Sequence, residues 1–286
     1  MNADESINEQ ELRSQVNREI EAGVHGIFAF GTNGEAYALS AAEKDRVLEV
    51  VIEETNHRVP VYAGTGCITT KETIEMSKKA AAMGADVLSI ITPYFAAASQ
   101  DELYAHYMAV AEAVDLPIVL YNIPARTGNA LSPATVAKLA KDAPNIVGAK
   151  DSSGNFDNLK QYIEQTRGLD KEFSVLSGND SLILPALVFG GKGGIAGCAN
   201  VFPGTMVEIY EAYMAGDLER AMRVQDSIRP LRAVFQYGNP NTIIKIAAGL
   251  LGYPVGSCRK PFCQLSDQGM ESLKKALELC KANGLR

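Results

Sequence analysis

Three observations predict a (β/α)8 barrel followed by a helical C-terminal extension. Seven short apolar runs occur, six of them ending in Gly, Thr, Asn or Asp, amphipathic segments of helical period separate them, and the alternation stops after residue 203. Strand alternating with helix implies a parallel sheet, because parallel neighbours need a crossover connection. Seven such runs within about 200 residues suit a closed barrel better than an open doubly wound sheet.

The strand-like runs are 26–31, 59–65, 87–92, 117–122, 146–151, 173–178 and 193–198. Each is short, apolar and bounded by turn residues, as a buried strand is. Between them, 41–56, 71–83, 101–114, 133–141 and 180–189 repeat apolar residues at helical spacing, and stripes such as Leu182, Leu184, Leu187 and Val188 read as core-facing. Beyond residue 203 the segments 204–214, 217–234, 240–251 and 265–283 read as helices only. The barrel is therefore assigned to residues 1–214 and a helical segment to 215–286. A closed barrel of this kind needs eight strands, and only about ten polar residues precede the first helix. The eighth strand is expected upstream of Met1, since an unclosed barrel exposes two sheet edges.

Composition excludes several function classes. The 286 residues are 47% hydrophobic and 21% charged, enough to bury a sizeable core. With 27 basic and 34 acidic residues the net charge is -7, and no basic stripe is present to follow a phosphate backbone, so nucleic acid is not an expected partner. Cys67, Cys198, Cys258, Cys263 and Cys280 are scattered without a CxxC pair and read as reduced, cytosolic thiols. His25, His57 and His106 form neither HxxxH nor HExxH, so no metal is expected. The polar N-terminus has no secretory signal and no run reaches the roughly 18 apolar residues of a membrane span. A cytoplasmic protein without a membrane partner is expected. Residues 191–196, GKGGIA, match a loose dinucleotide pattern but lie in a strand-like run without the acidic strand end that should follow, so a nicotinamide cofactor is not expected.

Chemistry concentrates at the strand ends, where barrel enzymes place it. The run Ile146, Val147, Gly148, Ala149 closes on Lys150, followed by Asp151, Ser152, Ser153, Gly154 and Asn155. An ammonium at the rim of a core loses hydration, which disfavours its charged form, and a neutral amine is what attacks a carbonyl to form a Schiff base. A strand-end lysine that snorkels to solvent is the plainer alternative. After the first run comes GTNGEAYALS, residues 31–40. Gly31 and Gly34 allow a tight turn and close approach to a ligand, Thr32 and Asn33 add a hydroxyl and an amide, and exposed N–H groups there suit a carboxylate. Ser40 and Glu43 read as a helix capping box. After the fourth run comes YNIPARTG, residues 121–128, in which Tyr121 closes a buried strand and is suited to pass a proton to or from Lys150 or substrate. Arg126 presents a planar fork fitted to a carboxylate, or else lies in solvent beside a turn made by Pro124 and Gly128.

GTNGE with the following LS, YNIPARTG, GAKDSSGN, LSGND at 176–180 and GGIAGCANVFP at 193–203 occur in this order. Together they resemble the dihydrodipicolinate synthase and N-acetylneuraminate lyase family of class I, Schiff-base-forming pyruvate aldolases, from about residue 8 to the C-terminus. The resemblance implies a (β/α)8 barrel with C-terminal helices, a homotetramer built from two tight dimers, and no metal or other cofactor. It implies that Lys150 forms the imine with pyruvate, that Tyr121 relays protons with Thr32 as partner, and that Thr32, Asn33 and Gly34 hold the pyruvate carboxylate through loop amides. It further implies that the backbone of Ile195 lines the opposite side, and that Arg126 binds the carboxylate of a second substrate, aspartate semialdehyde. The imine nitrogen is an electron sink, so C3 of pyruvate can lose a proton and become an enamine nucleophile.

Departures from the pattern qualify the substrate. Asn33 stands where synthases of the family have a second threonine. Phe95 follows Tyr94 where the family usually has a tyrosine that reaches the neighbouring subunit's site, and a phenyl ring carries no proton. Arg126 favours condensation of pyruvate with aspartate semialdehyde, as in lysine biosynthesis. Phe95 and Asn33 favour an aldolase or dehydratase acting on a 2-keto-3-deoxy sugar acid or a related hydroxy-keto acid. A non-catalytic keto-acid sensor is the alternative from another class. Ala41, Lys44 and Ile68 replace polar residues of lysine-inhibited members, although Glu72 and Tyr94 match, so feedback by lysine is not expected.

Overall fold

A computed structural model describes all residues from Met1 to Arg286. Seven strands occur, β1 (Ile27–Ala29), β2 (Val61–Gly64), β3 (Val87–Ile91), β4 (Ile118–Asn122), β5 (Ile146–Asp151), β6 (Ser174–Ser177) and β7 (Gly193–Gly194), each inside an expected run. The helices are α1 (Glu9–Glu21), α2 (Ala41–Thr55), α3 (Thr70–Met83), α4 (Gln100–Ala113), α5 (Pro124–Thr127), α6 (Pro133–Asp142) and α7 (Phe156–Thr166). They continue with α8 (Ile183–Val188), α9 (Pro203–Met214), α10 (Leu218–Ser227), α11 (Arg229–Val234), α12 (Pro240–Leu250) and α13 (Asp267–Ala282). The chain forms two compact units, Pro60–Ile195 on the one hand and Met1–Val59 with Ala196–Arg286 on the other.

The unit Pro60–Ile195 carries β2 to β7, paired parallel in chain order. Side-chain caps start its crossover helices where the sequence supplies them. Thr69 and Ser132 accept from the third residue of α3 and α6, Ser99 and Glu102 form a reciprocal capping box on α4, and Asn155 caps α7. Leu88, Ile90, Ile118 and Leu120 are buried on one face and Ser89, Val119 and Tyr121 on the other, so the strands are covered on both faces as crossover-linked strands must be. Two buried phenols find backbone acceptors: Tyr107 donates to the Ile90 carbonyl at 3.0 Å and Tyr162 to that of Leu131 at 2.6 Å. His106 on α4 is buried, its Nδ1 2.9 Å from the Thr70 hydroxyl, and burial pushes its pKa down to about 4. It is therefore a neutral core imidazole at pH 7.

The other unit holds α1, β1, α2 and α9 to α13. Arg13 pairs with Glu53 and Glu54, and Arg46 with Glu9 and Glu49, tying α1 to α2. The helix expected over 217–234 is divided into α10 and α11. Pro230 has no N–H to donate to the preceding turn, and Ile228 closes the first helix while Arg229 opens the second. The segment expected over 180–189 begins as a 3-10 turn at Asp180–Leu182 before becoming α8.

Arg259 is the main tie in this unit. Its guanidinium grips both carboxylate oxygens of Glu43 at 2.6 and 3.0 Å and also donates to the carbonyls of Ala38 and Glu5. Glu43 completes the capping box with Ser40 at the start of α2, as its spacing predicts. Arg259 and the Ser40 N–H hold the Glu43 carboxyl down at about 2. Because this pKa lies below the ordinary value of 4.5, the stabilisation is complete above about 4.5 and is lost as pH falls toward 2. Glu43→Gln is expected to cost about 1 kcal/mol at pH 7 and to flatten the stability profile over that window. Urea unfolding of both proteins at pH 7 and pH 3 measures it; equal losses at the two pH values would contradict the assignment.

Candidate active site

Lys150 and Tyr121 lie opposite each other on β5 and β4, and the register that pairs them contains an irregularity. Ile118 pairs with Ile146, but Val119 pairs with Gly148, so Val147 is an extra residue in β5. Without it, the register started by Ile118 and Ile146 would set Tyr121 against Ala149. With it, Tyr121 faces Lys150 and Asn122 faces Asp151. The Lys150 ammonium nitrogen lies 4.0 Å from the centroid of the Tyr121 ring. Both residues are buried, at 6% and 3% exposure, so an ammonium here leans on the ring's electron-rich face in place of part of its water.

The surroundings are shaped around that amine. A Cβ on Gly178, just past β6, would lie 2.9 Å from Lys150 Cε and overlap the Ser152 hydroxyl. A side chain at this position would force the Ser152 hydroxyl and the lysine stem to shift. Gly148 meets a similar demand lower in the strand, where a Cβ would lie 2.6 Å from the Ser174 carbonyl. Asp151 is buried with every hydrogen bond aimed at holding the strand end: it accepts from Asn122 Nδ2 at 2.8 Å, the Ser153 hydroxyl at 2.8 Å and the Ser153 N–H at 3.1 Å. Asn122 in turn accepts from the Leu131 N–H at 3.0 Å.

The remaining expected residues of this unit occupy neighbouring strand ends. Ile195 follows β7, half-buried, with its N–H donating to the Ser177 carbonyl at 2.8 Å. Arg126 lies exposed in the single turn of α5, whose end is set by Gly128 in a left-handed conformation. After β3, the Thr92 hydroxyl donates to that of Thr127 at 2.9 Å. Asn129 clamps the loop carrying Phe95: its Nδ2 donates to the carbonyls of Pro93 and Ala96, and its Oδ1 accepts from Ala98. Phe95 itself has φ of 79° and is 96% exposed.

Thr32, Asn33 and Gly34 form one turn in the other compact unit, closed by the Glu35 N–H donating to the Thr32 carbonyl at 3.2 Å. Asn33 and Gly34 are its central residues. Glu35, 1% exposed, ends the turn with φ of 56°; its carboxylate is paired with Lys245 and accepts from the Arg259 N–H at 2.9 Å. Sequence reasoning did not single out Glu35, Asn129 or Gly178. An acidic residue directly after a tight turn was the available signal for Glu35, while Asn129 and Gly178 act through contacts that spacing does not reveal.

Over residues 1–280 the chain matches the dihydrodipicolinate synthetase family. The chain belongs to that family. It is 44% identical over 273 residues to the 4-hydroxy-tetrahydrodipicolinate synthase of Methanopyrus kandleri, an alignment covering 95% of this chain and 90% of the relative. A crystal structure of a dihydrodipicolinate synthase superposes with a TM-score of 0.90 at 37% identity, over 96% of this chain and 93% of the other. YagE, a prophage protein of the dihydrodipicolinic acid synthase family from E. coli K12 solved in complex with pyruvate, superposes with a TM-score of 0.94 at 33% identity, over 98% and 95%. The fold class is the (β/α)8 type with C-terminal helices, as expected from the strand and helix order. The enzyme class is likewise the expected one, a class I lyase or synthase that works on pyruvate.

The space at Gly178 gives a direct test of the lysine's placement. Gly178→Ala is expected to destabilise the fold by about 1–3 kcal/mol through overpacking. The displaced lysine should slow trapping of a reduced pyruvate adduct by about ten-fold or more. Urea unfolding and borohydride-trapping kinetics measure the two effects, and wild-type trapping rates would show that Lys150 does not need the space.

Proposed function

We propose that the protein condenses pyruvate with aspartate semialdehyde, the reaction of a 4-hydroxy-tetrahydrodipicolinate synthase, through an imine on Lys150. The observation that carries the proposal is the buried Lys150 amine set 4.0 Å over the Tyr121 ring, in a chain 44% identical to such a synthase. No external cofactor enters this chemistry, since the imine itself is the electron sink.

The steps follow from the groups present. The neutral Lys150 amine adds to C2 of pyruvate, and proton transfer to the departing hydroxyl releases water and leaves the imine. Loss of a C3 proton gives the enamine, which attacks the aldehyde carbon of the second substrate; the amine of the semialdehyde then displaces the lysine from the imine carbon, closing the ring and freeing Lys150. Tyr121 is the proton relay beside the amine and Thr32 its hydroxyl partner. The N–H groups of the turn at Asn33 and Gly34 hold the pyruvate carboxylate, the backbone of Ile195 lines the site, and Arg126 takes the carboxylate of the semialdehyde. The catalytic barrel is read as residues 1–214 and the helical segment as 215–286.

This reading treats the enzyme as cytoplasmic and as a homotetramer of two tight dimers. Five free cysteines support the reducing compartment, and the nearly bare ring of Phe95 supports burial against a second copy. No helix is long and apolar enough to cross a membrane.

Two substitutions favour a second acceptor. Phe95 supplies no hydroxyl at a position held by backbone clamps, and Asn33 adds an amide where the synthases have a hydroxyl. Both suit an aldolase or dehydratase that draws a 2-keto-3-deoxy sugar acid through the same enamine. Turnover of aspartate semialdehyde with pyruvate, set beside turnover of 2-keto-3-deoxygluconate, separates the two; zero activity on the first would defeat the leading reading.

Borohydride reduction in the presence of pyruvate is expected to add one reduced adduct at Lys150, and Lys150→Ala should abolish it. Intact mass and peptide mapping provide the check, and no adduct at saturating pyruvate would move a non-catalytic keto-acid sensor to the front. Tyr121→Phe retains the ring beneath the amine but removes the proton relay. Its kcat should fall by about 10²–10⁴ with the fold intact, and steady-state rates near wild type would remove Tyr121 from the relay.

A further inference from the structure

The turn that carries Thr32 is held by one face of a helix about two hundred residues later in the chain. Asn241 and Lys245 are four apart on α12 and therefore share a face. Asn241 Nδ2 donates to the Thr32 carbonyl at 2.5 Å and lies 3.1 Å from the Tyr37 hydroxyl, while Lys245 pairs with the Glu35 carboxylate. The two contacts grip the first and last residues of the Thr32–Glu35 turn.

Two features show that this grip holds the backbone against its own preference. Phe30 and Glu35, the residues on either side of Gly31–Gly34, both adopt left-handed φ, 66° and 56°, which side chains with a Cβ rarely take. Such backbone persists only where the surroundings over-determine it. Asn241 is also 1% exposed with its Oδ1 unpartnered, so this amide leaves a buried acceptor unsatisfied while its donor points at Thr32. An apolar residue would avoid that cost if filling space were the only requirement.

We infer that Asn241 is a positioning residue for the pyruvate-binding turn, fixing the Thr32 carbonyl and with it the hydroxyl and the N–H groups of Asn33 and Gly34. Lys245 acts with it by anchoring Glu35. The inference rests on the reading above that the turn holds the pyruvate carboxylate. Its consequence is selective: loosening the turn weakens pyruvate binding and imine formation, whereas recognition of the second substrate, assigned to Arg126, is unaffected.

The test compares wild type with Asn241→Ala and Asn241→Asp, and with Lys275→Ala as a surface control in an exposed ion pair. Asn241→Asp is nearly isosteric and sets a carboxylate oxygen against the Thr32 carbonyl, so it reports on the contact even if the alanine variant folds poorly. Both Asn241 variants should raise the pyruvate concentration for half-maximal borohydride trapping and the pyruvate KM by about ten-fold or more. The KM of the second substrate and the circular dichroism should stay near wild type, and the control should be unchanged throughout. Folded Asn241 variants with wild-type pyruvate dependence would overturn the inference. Equal rises in both KM values would overturn it too, by showing a general loosening. If wild type itself gives no adduct, the Schiff-base reading fails first, and the inference with it.

Discussion

The single residue inserted in β5 at Val147 is the constraint on which the candidate site depends. Parallel strands place partnered side chains on one side of the sheet, so a one-residue slip decides which neighbours meet. The slip between Ile118 and Val119 converts a pairing of Tyr121 with Ala149 into one with Lys150, and it simultaneously sets Asn122 against Asp151. One irregularity thus produces both the amine over the ring and the hydrogen bond that fixes the strand ends. Gly148, next to the inserted residue, lets β5 approach β6 where a side chain would strike the Ser174 carbonyl. Bulges are known to re-aim side chains beside active sites, and here the re-aimed groups are the only buried amine–phenol pair at the strand ends.

Charge is managed by specific partners in both compact units. Asp151 is saturated by Asn122 and Ser153, so its negative charge goes into strand-end geometry. Glu35 is buried and compensated by Lys245 and a backbone N–H, the arrangement that makes a buried carboxylate tolerable. Lys150 is buried too, with its nitrogen 4.0 Å from the centroid of the Tyr121 ring. Backbone strain is spread more widely: Phe30, Glu35 and Phe95 hold left-handed φ at a cost of about 1 kcal/mol or more apiece, and so do Glu5, Asn56 and His57.

Much of this was legible in the sequence, and the reason is physical. A buried strand must be apolar until it reaches the rim, so a Lys, Tyr or Asn that ends an apolar run marks a strand end, as Lys150, Tyr121 and Asn122 do. Caps were equally legible because they are local: Ser40 and Glu43 are three residues apart and bond as a pair. The bulge was not, since Ile146–Asp151 reads the same in either register. Gly178 and Asn129 were missed because they serve atoms 28 and more residues away, at Lys150 and Pro93. The division of 217–234 at Pro230 was readable from proline alone, which neither donates a backbone hydrogen bond nor permits the preceding turn to continue unchanged.

Phe95 shows why fold and class are easier to derive than substrate. Asn129 fixes the loop backbone through Pro93, Ala96 and Ala98, and none of these bonds involves the side chain at position 95. The backbone presents that side chain at φ of 79° to its surroundings whether it ends in a hydroxyl or a hydrogen. Exchange of tyrosine for phenylalanine therefore leaves the scaffold intact and changes only the proton chemistry available there. The same separation holds at Asn33, a central residue of a turn whose closure is made by Thr32 and Glu35. In the proposed function, substrate choice is written in side chains that the fold carries without depending on them, so that one barrel could keep an imine-forming lysine and change the partner that the enamine attacks.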